Sequence, residues 1–239
     1  MKVLYKIICY PLLLLLMTTT AFAQLDLNTD NLEFNPLRNN IVPRTDSNIP
    51  TSKTFTDIVK EAEGSPYFDD TFKKATISES GNVFNVRYNA FLDEMEIVDG
   101  EEKKFINKKY QKHLITFLDT NERYKVLLQT ETDKENSFGY FVLLTDNPYL
   151  SLYRKDQKKY VPSRNMRRSD TAEFQNVSTR FYVETNKSGK AILLPRSNRK
   201  FLKLFSDKRA AIKSYLKREK LNVANEQDLI QLINYINSL

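Results

Sequence analysis

The residues with the clearest potential for chemistry lie in one acidic stretch, Asn85 to Val98, with the sequence NVRYNAFLDEMEIV. The stretch contains Asp93, Glu94 and Glu96 close to a single arginine. Two carboxylates about 5 Å apart can cleave a glycosidic bond when the environment of one of them raises its pKa. A strand would place Glu94 and Glu96 on one face, because side chains alternate along it. These two residues are therefore the candidate acid/base pair of a glycan hydrolase.

The same stretch also has a structural interpretation, as a β-hairpin. A four-residue turn from Ala90 to Asp93 would pair Arg87 with Glu96 and would gather the apolar side chains on the opposite face. Such a cross-strand ion pair contributes about 0.2–1 kcal/mol. Because the hairpin accounts for all polar residues of the stretch, we expect a structural role and keep hydrolysis as the alternative.

The composition gives little support to other catalytic centres. His113 is the single histidine, no G-x-S-x-G sequence accompanies it, and Cys9 is the single cysteine. These counts exclude His-rich metal sites, disulfide frameworks and Cys-ligated zinc. The five glycines are scattered, so we expect no phosphate-binding loop. The sequence predicts no metal site and no cofactor.

Residues 1–23 have the pattern of a secretory signal peptide. Lys2 and Lys6 precede the apolar run Ile7–Met17, and residues 21–23 are Ala-Phe-Ala, as at a cleavage site. The apolar run is shorter than the ~20 residues that a membrane-spanning helix needs. We therefore expect an exported protein (periplasmic, outer-membrane-associated or secreted) with no transmembrane segment after removal of the signal.

The rest of the chain divides into three parts. Residues 24–62 are rich in Asn, Asp, Thr and Pro, which predicts a flexible segment, with a short helix near its end. Residues 63–195 contain short β-branched or alternating runs between turn residues, which predicts antiparallel strands. In residues 196–239 the apolar residues recur with a period of 3.6, which predicts two to three helices. Ser206 and Asn225 are among the predicted caps. The predicted fold is α+β: a mostly antiparallel, curled or barrel-like sheet, with a C-terminal helical unit packed on it.

Positive charge is concentrated near the C-terminus, where residues 187–220 contain twelve Lys or Arg against two acids. Arg209, Lys213 and Lys217 recur every four residues, so a helix would carry them on one face. Such a helix can bind an anionic surface, or it can pack by its apolar face and leave the cations in solvent. Both interpretations stay open, and the three residues are candidate binding residues.

A second basic stretch begins at Tyr153, where YRKDQKKYVPSRNMRR interleaves cations with aromatic residues. Aromatic side chains beside cations are typical of single-stranded nucleic-acid binding. Because the signal peptide predicts export, we expect no nucleic acid. An envelope protein or an anionic membrane or glycan surface is the expected partner instead. Lys158 and Lys159 are the candidate contacts in this stretch.

Four short segments occur in a recognisable order: GSPY at 64–67, RYN at 87–89, an acidic hairpin with Asp93-Glu94, and a Lys-rich helical tail that ends in YINSL at 235–239. In this pattern the chain, from about residue 63 to 239, resembles a family of uncharacterised secreted and periplasmic proteins of the Bacteroidota. Residues 155–175 do not follow the pattern. The resemblance implies a Gram-negative envelope setting and carries over no activity and no catalytic residues.

The sequence therefore predicts a non-enzymatic exported envelope protein that binds or scaffolds a partner through a basic contact surface. The alternatives are a glycan hydrolase that uses the acidic hairpin and a carrier of a small ligand inside the sheet. A hydrolase needs a pocket around its carboxylates, a carrier needs an apolar cavity, and a docking protein needs exposed cations.

Overall fold

The structure, a computed structural model, describes residues 54–78, 82–99, 102–108, 113–129, 137–163 and 171–239, and the backbone of residues 34–36. The predicted signal peptide at 1–23 and most of the predicted flexible segment at 24–62 lie outside these residues. Strands predominate in the described part, and helices follow them at the C-terminus. This order confirms the α+β prediction.

Within the described residues the chain forms fourteen strands and four helices. The strands are β1 (Phe34–Pro36), β2 (Ala62–Glu63), β3 (Lys73–Ile77), β4 (Val83–Asn89), β5 (Glu94–Asp99), β6 (Glu102–Ile106), β7 (Leu114–Phe117), β8 (Arg123–Gln129), β9 (Ser137–Thr145), β10 (Leu150–Lys155), β11 (Lys158–Val161), β12 (Ala172–Asn176), β13 (Arg180–Thr185) and β14 (Lys190–Leu193). The helices are α1 (Phe55–Glu61), α2 (Asn198–Phe201), α3 (Arg209–Arg218) and α4 (Glu226–Ser238).

Five strands of the large sheet close into a barrel in the order β8-β14-β13-β10-β9, because β9 also pairs with β8. The pairs are antiparallel except for β14 and β8, which run parallel. Residues 123–125 of β8 pair with β7, whereas residues 128–129 pair with β14. The outer strands therefore leave the barrel along β8, in the order β7-β3-β4-β5-β6-β1.

Alternation of side chains along the barrel strands separates an inner core from an outer one. On β9, Phe141 belongs to the core inside the barrel, whereas Tyr140 and Val142 belong to the core of the outer sheet. The ring of Phe141 packs edge-to-face on Tyr182, with ring centroids 4.9 Å apart. Large side chains thus occupy the barrel interior, which is the space that a ligand carrier would need.

The C-terminal helices cover the barrel through buried residues such as Ile212 of α3 and Leu229 of α4, which share a core with β10 and β13. The predicted cap of α4 is confirmed, because the Asn225 side chain accepts a hydrogen bond from the Asp228 backbone N–H at 3.0 Å. The prediction for α3 was wrong in its start. The Ser206 hydroxyl donates to the neighbouring Asp207 carboxylate instead of capping, and the helix begins three residues later, at Arg209.

A small sheet, in the order β11-β12-β2, lies beside α1. The short helix expected near the end of the flexible segment is α1, where Thr54 and Asp57 form a capping box and Ile58 is fully buried. Residues 34–36, which the composition placed in the flexible segment, instead pair as β1 with β6. The edge of β6 presents unpaired backbone groups, and these residues satisfy them.

We expect Asn225→Ala to lower the free energy of unfolding by ~1 kcal/mol, because the side chain caps a first-turn N–H of α4. Gln227→Ala, an exposed change in the same helical turn, is the control and should change it by less than ~0.5 kcal/mol. Chemical denaturation of the two variants measures both values. Equal effects would show that α4 does not depend on this cap.

Candidate functional site

The predicted acidic hairpin is confirmed in its register. Arg87 lies opposite Glu96 and Asn89 lies opposite Glu94, with residues 90–93 as the turn between β4 and β5. The Asn89 side chain accepts a hydrogen bond from the Leu92 backbone N–H at 3.0 Å, which closes the turn. The two candidate carboxylates therefore follow each other on one face of β5, as expected.

Glu96 is held in a closed hydrogen-bond network. Its Oε2 accepts from Arg87 Nη2 at 2.6 Å and from Arg87 Nε at 3.1 Å. Its Oε1 accepts from the Tyr67 hydroxyl at 2.7 Å and from Asn89 Nδ2 at 3.0 Å. The Arg87 guanidinium lies between two rings, 3.8 Å from the centroid of Tyr67 and 4.4 Å from that of Phe72. Each oxygen of Glu96 thus has two donors.

The Arg87–Glu96 pair corrects the expectation of a weak surface ion pair. The side chains are only 14% and 3% exposed, because Tyr67 and Phe72 cover this face of the hairpin. Removing one partner of a buried pair costs about 3–5 kcal/mol, far more than the loss of an exposed pair. The pair therefore anchors the segment before β3 onto the hairpin.

Asp93 and Glu94 face two lysines beside one end of the barrel. Asp93 Oδ2 lies 2.7 Å from Lys155 Nζ, and Glu94 Oε1 lies 3.0 Å from Lys108 Nζ. Lys155 is completely buried and also donates to the carbonyl oxygen of Tyr140 at 2.9 Å. Burial lowers the pKa of Lys155, with Asp93 opposing the change. Burial raises the pKa of Glu94, with Lys108 opposing it.

This geometry gives the hydrolase interpretation one favourable feature and one unfavourable feature. A raised pKa is what a general acid needs, and Glu94 has it. A nucleophile or base, however, needs an oxygen free to reach substrate, and both oxygens of Glu96 are occupied by protein donors. Each of the two carboxylates is held by a cation of the chain itself, Glu94 by Lys108 and Glu96 by Arg87.

A cleft of about 110 Å³ lies beside the hairpin and is lined by Phe68, Asp69, Thr71, Lys73, Arg87, Tyr88, Phe117, Thr120, Glu122 and Tyr124. Pockets that bind small molecules usually measure ~300–1,000 Å³. The cations of the cleft are already neutralised, since Lys73 bridges Asp69 at 2.9 Å and Asp119 at 2.8 Å. The cleft therefore provides little uncommitted charge for a ligand.

The opposite end of the barrel contains a second buried charge. Glu184 is fully buried and accepts from Lys125 Nζ at 2.9 and 3.1 Å, from the Tyr153 hydroxyl at 2.5 Å and from the Gly189 N–H at 2.8 Å. Burial alone would raise the pKa of Glu184, but the donors outweigh it and hold the pKa below its usual value of 4.5. Buried charge in the barrel is thus neutralised inside the fold.

The helical unit differs from the barrel because it carries a group of exposed cations. We name the part of the helical unit that they form the basic surface. It consists of six exposed cations on α2, on the turn after α2 and on α3: Arg199, Lys200, Lys203, Arg209, Lys213 and Lys217. None of the six forms an ion pair within the described part of the chain. Ile212 and Leu216 are the buried residues of α3, so the predicted cations lie on its solvent face.

Lys158 and Lys159 lie elsewhere, on β11 of the small sheet. Lys158 is half-buried with its Nζ 4.9 Å from the centroid of the Phe68 ring, and Lys159 is exposed. The cations just before them in the sequence point inward: Lys155 is buried, and Arg154 bonds to three acids on different segments, Glu122, Asp156 and Glu226. The second basic stretch is therefore divided between the interior and the surface.

The buried Lys155–Asp93 pair is the part of the site that the sequence reasoning missed. One signal was available, the isolated glycine in FGYF on an otherwise aromatic strand, because such a glycine indicates close approach of another group. A Cβ on Gly139 would lie 2.6 Å from Lys155 Nζ and 2.7 Å from Asp93 Oδ2. The glycine makes room for the ion pair.

No family model, curated protein or solved structure matches the chain. Among the described helices none is long and apolar enough to cross a membrane. The described residues likewise contain no group of three or more His, Cys, Asp or Glu that could hold a metal ion. The function has to be inferred from the chain's own geometry.

We expect Lys155→Met to lower the free energy of unfolding by about 3–5 kcal/mol, because it leaves the partly buried Asp93 without its closest cation. Adding Asp93→Asn should restore part of the loss, since the uncompensated charge is removed. Chemical denaturation of the single and double variants measures the coupling. Lys159→Met, an exposed change nearby in the sequence, is the control. Additive losses in the double variant would contradict the pairing.

The Glu184 cluster predicts a specific dependence of stability on pH. A carboxyl whose folded pKa is lower than its unfolded pKa stabilises the fold above the unfolded value, here 4.5, and loses this contribution as pH falls through the folded pKa. Glu184→Gln should cost ~1–3 kcal/mol near neutral pH and should flatten the acid side of the stability profile. Thermal unfolding between about pH 7 and pH 3 tests this sign. Parallel profiles for variant and wild type would exclude Glu184 as the titrating group.

Proposed function

We propose that this protein is an exported, non-enzymatic envelope protein that binds an anionic partner through the basic surface of its helical unit. The observation that carries the proposal is a contrast in charge pairing. The sheet neutralises its buried cations with its own carboxylates, whereas six exposed cations gather on α2 and α3 without an ion-pair partner in the described residues. The signal-like N-terminus and the resemblance to secreted proteins support the envelope setting.

The placement of charge on α3 adds a second argument. This helix has no acidic residue in its first turn, no side-chain cap, and a cation at its first position, Arg209. A helix N-terminus disfavours positive charge, and like charges four residues apart, as in Arg209 and Lys213, destabilise a helix further. At the start of α3 this arrangement opposes folding, and it is the arrangement expected of residues that serve binding.

The resulting interaction is electrostatic and exposed, so salt should screen it. The Debye length is about 10 Å at 0.1 M salt and about 3 Å at 1 M. Exposed charges that are farther apart than this length are largely screened from each other, so high salt weakens the attraction. Lys158 and Lys159 form a smaller, auxiliary contact in this proposal. They contribute less because Lys158 is half-buried against Phe68.

Reversing Arg209, Lys213 and Lys217 to Glu should abolish retention of the protein on the envelope without lowering its melting temperature. Wild-type protein should sediment with host membranes at low salt and be released by high salt, whereas the variant should stay soluble at low salt. Its melting temperature should stay close to that of wild type, because Arg209→Glu in the first turn favours the helix dipole whereas Lys217→Glu in the last turn opposes it. Fractionation and thermal unfolding measure the two properties separately.

A matched control reverses three exposed cations of equal total charge elsewhere, Lys60, Lys74 and Lys190. This control should be retained like wild type, and Lys158→Glu with Lys159→Glu should show a partial loss. Retention of the α3 variant would overturn the proposal. Equal loss in the α3 variant and the control would attribute binding to net charge rather than to this surface.

A further inference from the structure

An exposed apolar residue lies in the segment between α2 and α3, the two helices that carry the basic surface. Leu204, in the turn after α2, is 48% exposed and directly follows Lys203. Its neighbour Phe205 takes the inward position and packs on Phe201, with ring centroids 5.1 Å apart. The Leu204 backbone N–H donates to the Phe201 carbonyl at 2.9 Å, which fixes the turn. The turn therefore presents leucine outward between cations.

Two further exposed apolar residues lie in the segment before β10 and directly after α4. Tyr149 is 43% exposed and Leu239 is 48% exposed. The Nζ of Lys208, the residue before α3, lies 5.0 Å from the Tyr149 ring centroid and donates to the Ile236 carbonyl at 3.4 Å, three residues before Leu239. Tyr149 thus lies beside the residue that precedes α3, and the last turn of α4, which leads to Leu239, lies next to the same residue.

Leucine and tyrosine mixed with Lys and Arg are the composition of a peripheral membrane contact. Cations bind anionic headgroups, leucine enters the boundary between headgroups and acyl chains, and tyrosine favours the interface. An acidic polysaccharide would satisfy the cations but would leave the exposed leucine in water, and an acidic protein would need an apolar patch at the matching position to cover it. The apolar residues therefore discriminate among the partners that the charge alone allows.

We infer that the anionic partner is a lipid membrane, and that the start of α3 docks on it with Leu204 entering the headgroup region. This inference rests on the proposed function, because the same basic surface supplies the electrostatic attraction. It adds a chemical class for the partner and a residue whose role does not depend on charge.

The test is co-sedimentation of the full-length protein, purified from its host envelope, with vesicles of equal parts phosphatidylglycerol and phosphatidylcholine. Vesicles of phosphatidylcholine alone are the charge control. We expect binding to the anionic vesicles only, about tenfold weaker for Leu204→Ser because insertion is lost. Leu118→Ser is the matched control, since Leu118 is 52% exposed and lies on the turn after β7, outside the helical unit. It should bind like wild type.

Unchanged binding of Leu204→Ser would overturn the inference, and so would absence of binding to anionic vesicles. If salt still releases the protein from host envelopes while vesicles fail to bind it, the basic surface acts on an acidic protein or glycan, and the proposed function stands without the lipid. If the α3 charge reversal also leaves envelope retention intact, the proposed function fails as well.

Discussion

The ion pair between Lys155 and Asp93 is the interaction on which the arrangement of the sheet depends. Lys155 belongs to a barrel strand and Asp93 to the turn of the outer hairpin, and their charged atoms lie 2.7 Å apart with Lys155 fully out of water. An unpaired ammonium group in that position would cost several kcal/mol, so the barrel and the hairpin have to form together. Gly139 lies beside them, and a side chain at this position would displace the two charged groups from each other.

The same principle, neutralisation of buried charge within the fold, determines where function can lie. Arg87 with Glu96 joins the two strands of one hairpin. Lys125 with Glu184, and Arg154 with Glu122 and Glu226, join segments far apart in the sequence. Carboxylates held in this way stabilise tertiary structure and have little freedom for catalysis. The helical unit is organised in the opposite way, with a packed apolar face and a solvent side on which the six cations of the basic surface form no ion pair within the described residues. Binding through this face is therefore the function that we propose.

The features that could be predicted from the sequence are the local ones. The hairpin register followed from alternation and turn length, and the cap at Asn225 followed from residue type and helical period. The parallel pairing of β14 with β8, which helps to close the barrel, joins segments about sixty residues apart and has no local signature. The sequence places Lys155 in a basic stretch that is expected at the surface. Its burial could not be predicted, because it depends on Asp93, which lies on a turn distant in the sequence. The start of α3 was misplaced because the Ser206 hydroxyl bonds to its neighbour.

The most direct test of the central claim, that the solvent face of α3 is the contact surface, is site-specific photo-crosslinking in the native host. A photoreactive residue would replace Lys213 on α3 or, for comparison, Lys74 on β3, both of which are exposed. The account predicts a defined envelope adduct, protein or lipid by mass, from position 213 and none from position 74. Adducts of equal yield from both positions, or an adduct from position 74 alone, would contradict it.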